Sequence, residues 1–427
     1  MVWMKTFRAY QHRVECFRDV AESQWKNWMW QQQNSVRNRF GLRKIFPNLE
    51  DECLRTAEAW EKRGFRFLVT PYVAALIAKD ARGNPLQDDP IWRQVFPVFG
   101  DRGNLDGRGS LRNLANRAEE PISSGHAQTF VRPDEYSPSN ENWEVISEMI
   151  SPIAQHKYDN RVLVITSDVC LGYCVYCFRS LQSNDKAEKH GGKPFWKETI
   201  EAIRLRPQIE EVILSGGDPL LYDNFSLGEM LKDLREIDHL KAIRIHTRAW
   251  LHNPYRIDEE FCALLKKYEV TEMGVHTVHP REITQDFLEA VGRVRASGAR
   301  TLLLCDTPLI RGVNDSSEIL HELFMELYTS GVKPYYLSHN MPNIPFANQQ
   351  RTSVRQGLRL WNSLKRHISN TAMPEYIITH RAGKKTVPEC EEGTPDFIYE
   401  KDQNGWPIIR FKNWKGQWET YVDALER

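Results

Sequence analysis

The sequence predicts an α/β protein in which a partial (β/α)6 barrel follows a helical N-terminal part and precedes a small β-rich C-terminal segment. Three observations predict it. From Arg161 to Ile368, short runs rich in Val, Ile and Leu alternate with helix-length amphipathic stretches, and that alternation implies βα units on a parallel sheet. Residues 1–99 instead show helical periodicity, with tryptophans set among polar residues. Near the other end, Phe397-Ile398-Tyr399, then Pro407-Ile408-Ile409-Arg410-Phe411 and Gln417-Trp418-Glu419-Thr420-Tyr421, with Asp402-Gln403-Asn404-Gly405 as a turn between, make the pattern of a hairpin.

In the N-terminal part, Trp25, Trp28 and Trp30 lie in one helical stretch, and Leu49 to Trp60 forms a second. A third begins at Thr70-Pro71-Tyr72, where proline suits a first helical turn. The tryptophans read as core. The segment closes with Asp89-Pro90 to Phe96-Pro97. From Gly100 to Asn142 the composition turns to Gly, Asp, Asn, Arg, Ser and Pro, and residues 100–155 are expected to be a connector wrapping the barrel.

Barrel strands are expected at Val162–Ile165, Glu211–Leu214, Ala242–His246, Glu272–His276, Thr301–Leu304 and Pro334–Ser338, within residues 156–368. The helices between and after them are Thr199–Arg204, Leu227–Arg235, Glu259–Tyr268, Gln285–Ala296, Ser317–Ser330 and Thr352–His367. In such barrels the reactive residues gather at the strand C-termini. Residues 369–427 form the C-terminal segment.

Lys plus Arg and Asp plus Glu both number 57 in 427 residues, so net charge offers no reason to expect nucleic acid or an acidic membrane surface as partner. The eight cysteines are scattered outside one central group, which is no disulfide framework. The first residues are interrupted by charge and lack the apolar stretch of a signal peptide, and no run reaches the ~20 apolar residues of a membrane span. A soluble cytoplasmic protein is expected.

The central group is Cys170-Leu171-Gly172-Tyr173-Cys174-Val175-Tyr176-Cys177-Phe178-Arg179, directly after the first barrel strand. Three thiols in a C-x3-C-x2-C pattern can hold a [4Fe–4S] cluster and leave one iron free to bind a small molecule. A structural zinc ion would want four ligands at paired spacings. No fourth Cys or His completes such a motif: His156 lies upstream, and His190 sits in a charged loop. After the second strand comes Ser215-Gly216-Gly217-Asp218. Its glycines would let the backbone approach a ligand closely, and Asp218 could receive an ammonium group.

The cysteine motif, the preceding apolar run Val162 to Ile165 and the following Arg179 resemble the radical S-adenosylmethionine (SAM) superfamily, which implies a TIM-like radical SAM barrel. Further stretches are similar to the lysine 2,3-aminomutase family within it: Gln24 to Gln31, Thr70-Pro71-Tyr72, Leu214 to Leu221, His276 to Thr284, Leu309 to Asp315, and Lys333 to Tyr336. The resemblance implies that Cys170, Cys174 and Cys177 bind the cluster. It also implies that Ser215, Gly216, Gly217, Asp218 and His276 meet SAM, with Asp218 where the family carries Glu. It adds pyridoxal phosphate on a lysine of the loop Arg381-Ala382-Gly383-Lys384-Lys385-Thr386, and either Lys384 or Lys385 fits. Lys157 and Arg161 would meet the cofactor phosphate, or else form rim ion pairs. Arg179 would grip the substrate carboxylate, a task for a guanidinium fork.

The implied reaction is a radical 1,2-migration of the amino group that turns an α-amino acid into its β isomer, with SAM regenerated. A flavodoxin, ferredoxin or reductase would supply the electron, and a homo-oligomer is expected. Lysine enzymes of the family hold the distal ammonium with two aspartates, one after the Tyr-Tyr strand and one before the lysine loop. Here those regions read Leu337 to Ile344 and Tyr376 to Arg381, and neither contains an acid. A buried ammonium without a counter-charge is costly. The substrate is therefore expected not to be free L-lysine. His380, Arg381 and Asn340 would suit a carboxylate or amide, and Asp306 and Asp315 are conceivable substitutes for the missing acids. The rival readings are L-lysine 2,3-aminomutase itself, a relative acting on a protein lysine or running another radical reaction, and a metal-binding regulator.

Overall fold

The computed structural model describes residues 10–62, 66–96, 148–177, 179, 193–342, 344, 347–380, 382–403 and 405–426. The expected connector at Gly100 to Asn142 lies outside them. The N-terminal layer contains α1 (Trp28–Gln33), α2 (Arg39–Ile45), α3 (Asp51–Lys62) and α4 (Pro71–Leu76). Its own core includes Trp25, Phe46, Trp60, Tyr72 and Trp92; Trp28 and Trp30, also expected in the core, are only partly buried against it. Thr70 caps α4 by accepting from the Val73 amide, and Pro71 stands in the first turn.

A ten-stranded sheet follows, in sequential order. Its antiparallel edge is β1 (Glu148–Ser151) and β2 (Ala154–Tyr158). The parallel strands are β3 (Arg161–Ser167), β4 (Glu211–Gly216), β5 (Ala242–Thr247), β6 (Glu272–Val275), β7 (Leu302–Leu309), β8 (Lys333–His339) and β9 (Glu375–His380). Six helices connect them: α5 (Trp196–Arg204), α6 (Asn224–Arg235), α7 (Glu259–Lys267), α8 (Gln285–Ala296), α9 (Ser317–Ser330) and α10 (Val354–Leu364). The six expected βα units are present. The sheet then continues into β9 and into β10 (Gly383–Thr386), which pairs antiparallel with β9. Sequence reading stopped short because β9, Glu375-Tyr376-Ile377-Ile378-Thr379-His380, is not followed by a helix, and the glycine after it reads as a loop.

Alternate strand residues face opposite sides, and here the two sides differ in chemistry. Val162, Val164, Val212, Leu214, Ile243, Ile245, Cys305 and Leu337 pack under the helices. The other face carries Glu211, Arg244, His246, Glu272, Asp306 and Ser338. At its floor Arg244 bridges Glu211 at 2.9 Å and Glu272 at 2.6 Å, a plug on the N-terminal side of the strands. The two ends of the sheet meet through side chains, since Lys157 Nζ donates to the His380 carbonyl at 3.1 Å and the Lys384 amide to Tyr158 Oη at 3.3 Å. That closure makes the curved sheet a partial barrel.

The tail forms a three-stranded antiparallel sheet, β11 (Phe397–Lys401), β12 (Pro407–Lys412) and β13 (Trp418–Val422), one strand more than the expected hairpin. It buttresses β8 and β9: Tyr421 Oη and His339 Nδ1 are 2.7 Å apart, and Phe397, Ile409 and Phe411 join the main core.

Candidate active site

The cysteine loop leaves the C-terminal end of β3 and is held from two sides. The N-terminal layer grips it through the Val175 amide to the Gln94 carbonyl at 2.8 Å and Gln32 Nε2 to the Leu171 carbonyl at 3.4 Å. The barrel grips it through the fully buried His252, whose Nε2 lies 3.8 Å from Cys174 Sγ. Burial raises the Cys170 thiol well above its usual range, and Cys177, Asp218 and Cys174 add to this while Arg179 opposes it. Cys174, Cys177 and Arg179 are thus near enough to Cys170 to act on its charge. No three Cys, His, Asp or Glu side chains among the described residues stand close enough to grip a single metal ion. Three thiols on one loop, with no fourth Cys or His completing the motif, suit an iron–sulfur cube with one open iron better than a zinc ion.

The Gly-Gly turn sits against this loop. Gly216 has φ +107°, and a Cβ on Gly217 would lie 2.0 Å from the Val169 carbonyl oxygen. The glycines admit the cysteine loop's backbone. Gly217→Ala should therefore destabilise the fold by about 2–4 kcal/mol, on the scale of other steric clashes in packed sites. A melting temperature within a degree of wild type would contradict this packing account.

Asp218 is also committed internally. Its carboxylate accepts from the amides of Leu220 and Arg248 and from Thr247 Oγ1, and it is buried. Burial lifts its pKa to about 6 against those hydrogen bonds. It ties the β4 loop to the β5 loop and is no free acceptor for an ammonium, which corrects the expectation. Ser215 faces the interior while its carbonyl accepts from Thr166 Oγ1 at 2.9 Å.

After β5, Arg248 pairs with the buried Glu282 at 3.0 Å and reaches Gln94 Oε1 at 2.6 Å, joining the barrel rim to the N-terminal layer. Just past β6, His276 lies 3.4 Å from the Asp306 carbonyl, with its ring 5.4 Å from that of His246. Burial and His246 push its pKa down to about 3, so it is a neutral donor or acceptor.

The two candidate lysines occupy neighbouring positions on β10, so their side chains point to opposite faces. Lys384 pairs across from Thr379 and points into the barrel. Its Nζ is 3.3 Å from Asp306 Oδ2 and 3.9 Å from the centre of the Tyr336 ring. Lys385 points outward and donates to the Lys412 carbonyl at 3.0 Å. Burial opposes ionisation of Asp306, but the Lys384 ammonium and the Ser338 hydroxyl outweigh it and hold the carboxyl below its usual range. Lys157 stands nearby, its pKa pushed down to about 8 by burial and by Lys384. Arg161 stacks over the Tyr158 ring at 4.3 Å.

Of the residues expected to greet a polar substrate side chain, His380 turns the other way. It packs on Phe411, with its Nδ1 accepting from the Ala382 amide. Asn340 Nδ2 is directed to the Gln350 carbonyl at 3.5 Å. Arg381 lies outside the described residues, and Asp315 caps the turn at the Gly312 amide. Asp306 is the acid that β7 places inside the barrel beside Lys384. Sequence reading missed Tyr158, Arg248 and His252, which carry no motif; Asp306, named there as a conceivable acid, is marked by interrupting an apolar strand.

The radical SAM superfamily model matches residues 164–323. An L-lysine 2,3-aminomutase of Clostridium subterminale is 27% identical over 413 residues, 97% of this chain and 88% of its own length. The L-lysine 2,3-aminomutase of Haemophilus influenzae is 36% identical over 225 residues, 52% of this chain and 65% of its own. A glutamate 2,3-aminomutase of Clostridioides difficile is 26% identical over 397 residues, 93% of this chain and 82% of its own. Among the described residues no helix is long and apolar enough to cross a membrane. The chain thus carries a radical SAM domain, with which a cluster and SAM come, and over most of its length it is similar to L-lysine 2,3-aminomutases.

Proposed function

We propose that the protein is a pyridoxal-phosphate-dependent amino acid 2,3-aminomutase that converts an α-amino acid other than free L-lysine into its β isomer. The observation that carries this reading is Lys384, a lysine on the interior face beside Asp306, in a barrel whose rim bears the cysteine loop.

When bound, the cluster and SAM supply a carbon radical, and pyridoxal phosphate supplies an electron sink. This chain's residues would do the rest. Cys170, Cys174 and Cys177 hold the cluster, and the Ser215 to Gly217 turn and His276 border SAM. Lys384 links the second cofactor through Nζ. Asp306, 3.3 Å away, fixes that nitrogen in the resting protein. Lys157 and Arg161 close the barrel seam and offer positive charge to a phosphate. Arg179, beside the cysteines, takes the substrate carboxylate. The N-terminal layer covers the rim and keeps water and oxygen from the radical.

The lack of an acid in the two strand-end segments supports a substrate without a distal ammonium, and a glutamate-named relative is consistent with variation there. A cytoplasmic setting, a flavodoxin or ferredoxin electron donor and a homo-oligomer complete the proposal. To test it, the protein is reconstituted anaerobically with iron, sulfide and pyridoxal phosphate, given SAM and dithionite, and offered each of the twenty amino acids. Mass spectrometry then separates α from β isomers. A β-amino acid from a substrate other than lysine is the expected result. Turnover of lysine alone would overturn the substrate argument. Release of 5′-deoxyadenosine with no isomer from any of them would overturn the aminomutase reading.

A further inference from the structure

The His252 imidazole has a place in the site that no motif announces. It is fully buried at the end of the single helical turn Ala249–His252, and its own carbonyl is tied to Thr70 Oγ1 at 2.7 Å. A Cβ on Gly172 would lie 2.2 Å from Nδ1, so the ring is wedged under the cysteine loop with that nitrogen against the glycine. Nδ1 has no hydrogen-bond partner among the described residues. A proton there would be buried and unsatisfied, which costs more than leaving a bare lone pair. The proton therefore belongs on Nε2, the nitrogen 3.8 Å from Cys174 Sγ.

We propose that His252 is a positioning residue that donates its Nε2–H to the Cys174 thiolate and thereby raises the reduction potential of the cluster. The inference rests on Cys174 being a cluster ligand. Hydrogen bonds to cluster sulfurs stabilise the more negative, reduced state. The cluster gains one electron from a reductant such as dithionite, and no proton moves. The imidazole stays neutral in both states, and only the negative charge in front of its N–H grows. Arg248 also donates to Cys174, but its guanidinium is shared with Glu282 and Gln94, so the neutral imidazole is the donor whose loss leaves other pairings intact.

The test is a redox titration of the reconstituted full-length chain, followed by electron paramagnetic resonance of the reduced cluster. In His252→Leu the midpoint should move to more negative potential. A tenfold fall in the reduced-to-oxidised ratio at the wild-type midpoint corresponds to 59 mV for a one-electron couple. His252→Gln, which returns an N–H at similar reach, should recover most of it. A wild-type midpoint in the Leu variant, or equal shifts in both variants, would overturn the proposal. If the Leu variant takes up no iron, the wild-type protein labelled with ¹⁵N-histidine still decides: an imidazole nitrogen coupling on the reduced cluster that disappears in His252→Gln supports it, and no such coupling overturns it. Failure of the wild type itself to bind a cluster would instead defeat the assignment of the three cysteines.

Discussion

Lys384→Ala should abolish the Schiff-base absorbance of protein reconstituted with pyridoxal phosphate, while Lys385→Ala should leave it intact. The argument is one of parity. Adjacent strand residues project to opposite faces, so at most one of the two lysines can enter the barrel. The register of β10 on β9 sets Lys384 opposite Thr379, on the interior side, and Lys385 opposite Ile378. Asp306 and the Tyr336 ring then fix where the Lys384 ammonium rests. Turnover in Lys384→Ala should fall by on the order of 10³ or more, because a freely diffusing amine cannot match a covalent group already in position. Lys385→Ala loses one hydrogen bond to the Lys412 carbonyl, about 1 kcal/mol of stability. Absorbance lost in Lys385→Ala and kept in Lys384→Ala would mean that β10 is shifted by one residue in the working enzyme.

That same parity marks where the sequence was legible and where it was not. The βα alternation was readable because each strand's helix-facing side is apolar and each connecting helix is amphipathic. The cysteine triad was readable because its spacing is itself the chemistry. The choice between Lys384 and Lys385 was not, since it depends on which strand β10 pairs with and in what register. Asp218 was misread for a related reason: as a sequence it is an acid after two glycines, and only the fold brings the amides of Leu220 and Arg248 to it. The glycines read as places of close approach, and only the fold brings the Val169 carbonyl of the cysteine loop against Gly217. What stays hidden is that His252 meets Cys174, and Lys384 meets Asp306, across 78 residues of chain each. Local pattern carries no trace of such meetings.

Cys174→Ala should eliminate reductive cleavage of SAM to 5′-deoxyadenosine and leave the fold standing. With three thiolates the cluster keeps one iron open for SAM; with two it loses a second corner and is not retained. The cysteine is half-buried in a loop whose position is set by other groups, chiefly Gln94 on the Val175 amide and the backbone of Gly217 on Ser167. Truncation there should cost no more than about 1 kcal/mol, the usual scale for removing a small, partly exposed side chain. Two controls separate ligand loss from general damage. Cys305 is buried under the helices, so Cys305→Ala should lower the melting temperature while iron content and cleavage persist. Cys390 is exposed and donates to Glu392, so Cys390→Ala should change neither. Cleavage at the wild-type rate in Cys174→Ala would remove that residue from the ligand set, and with it the reason for three thiols to converge at the mouth of this barrel.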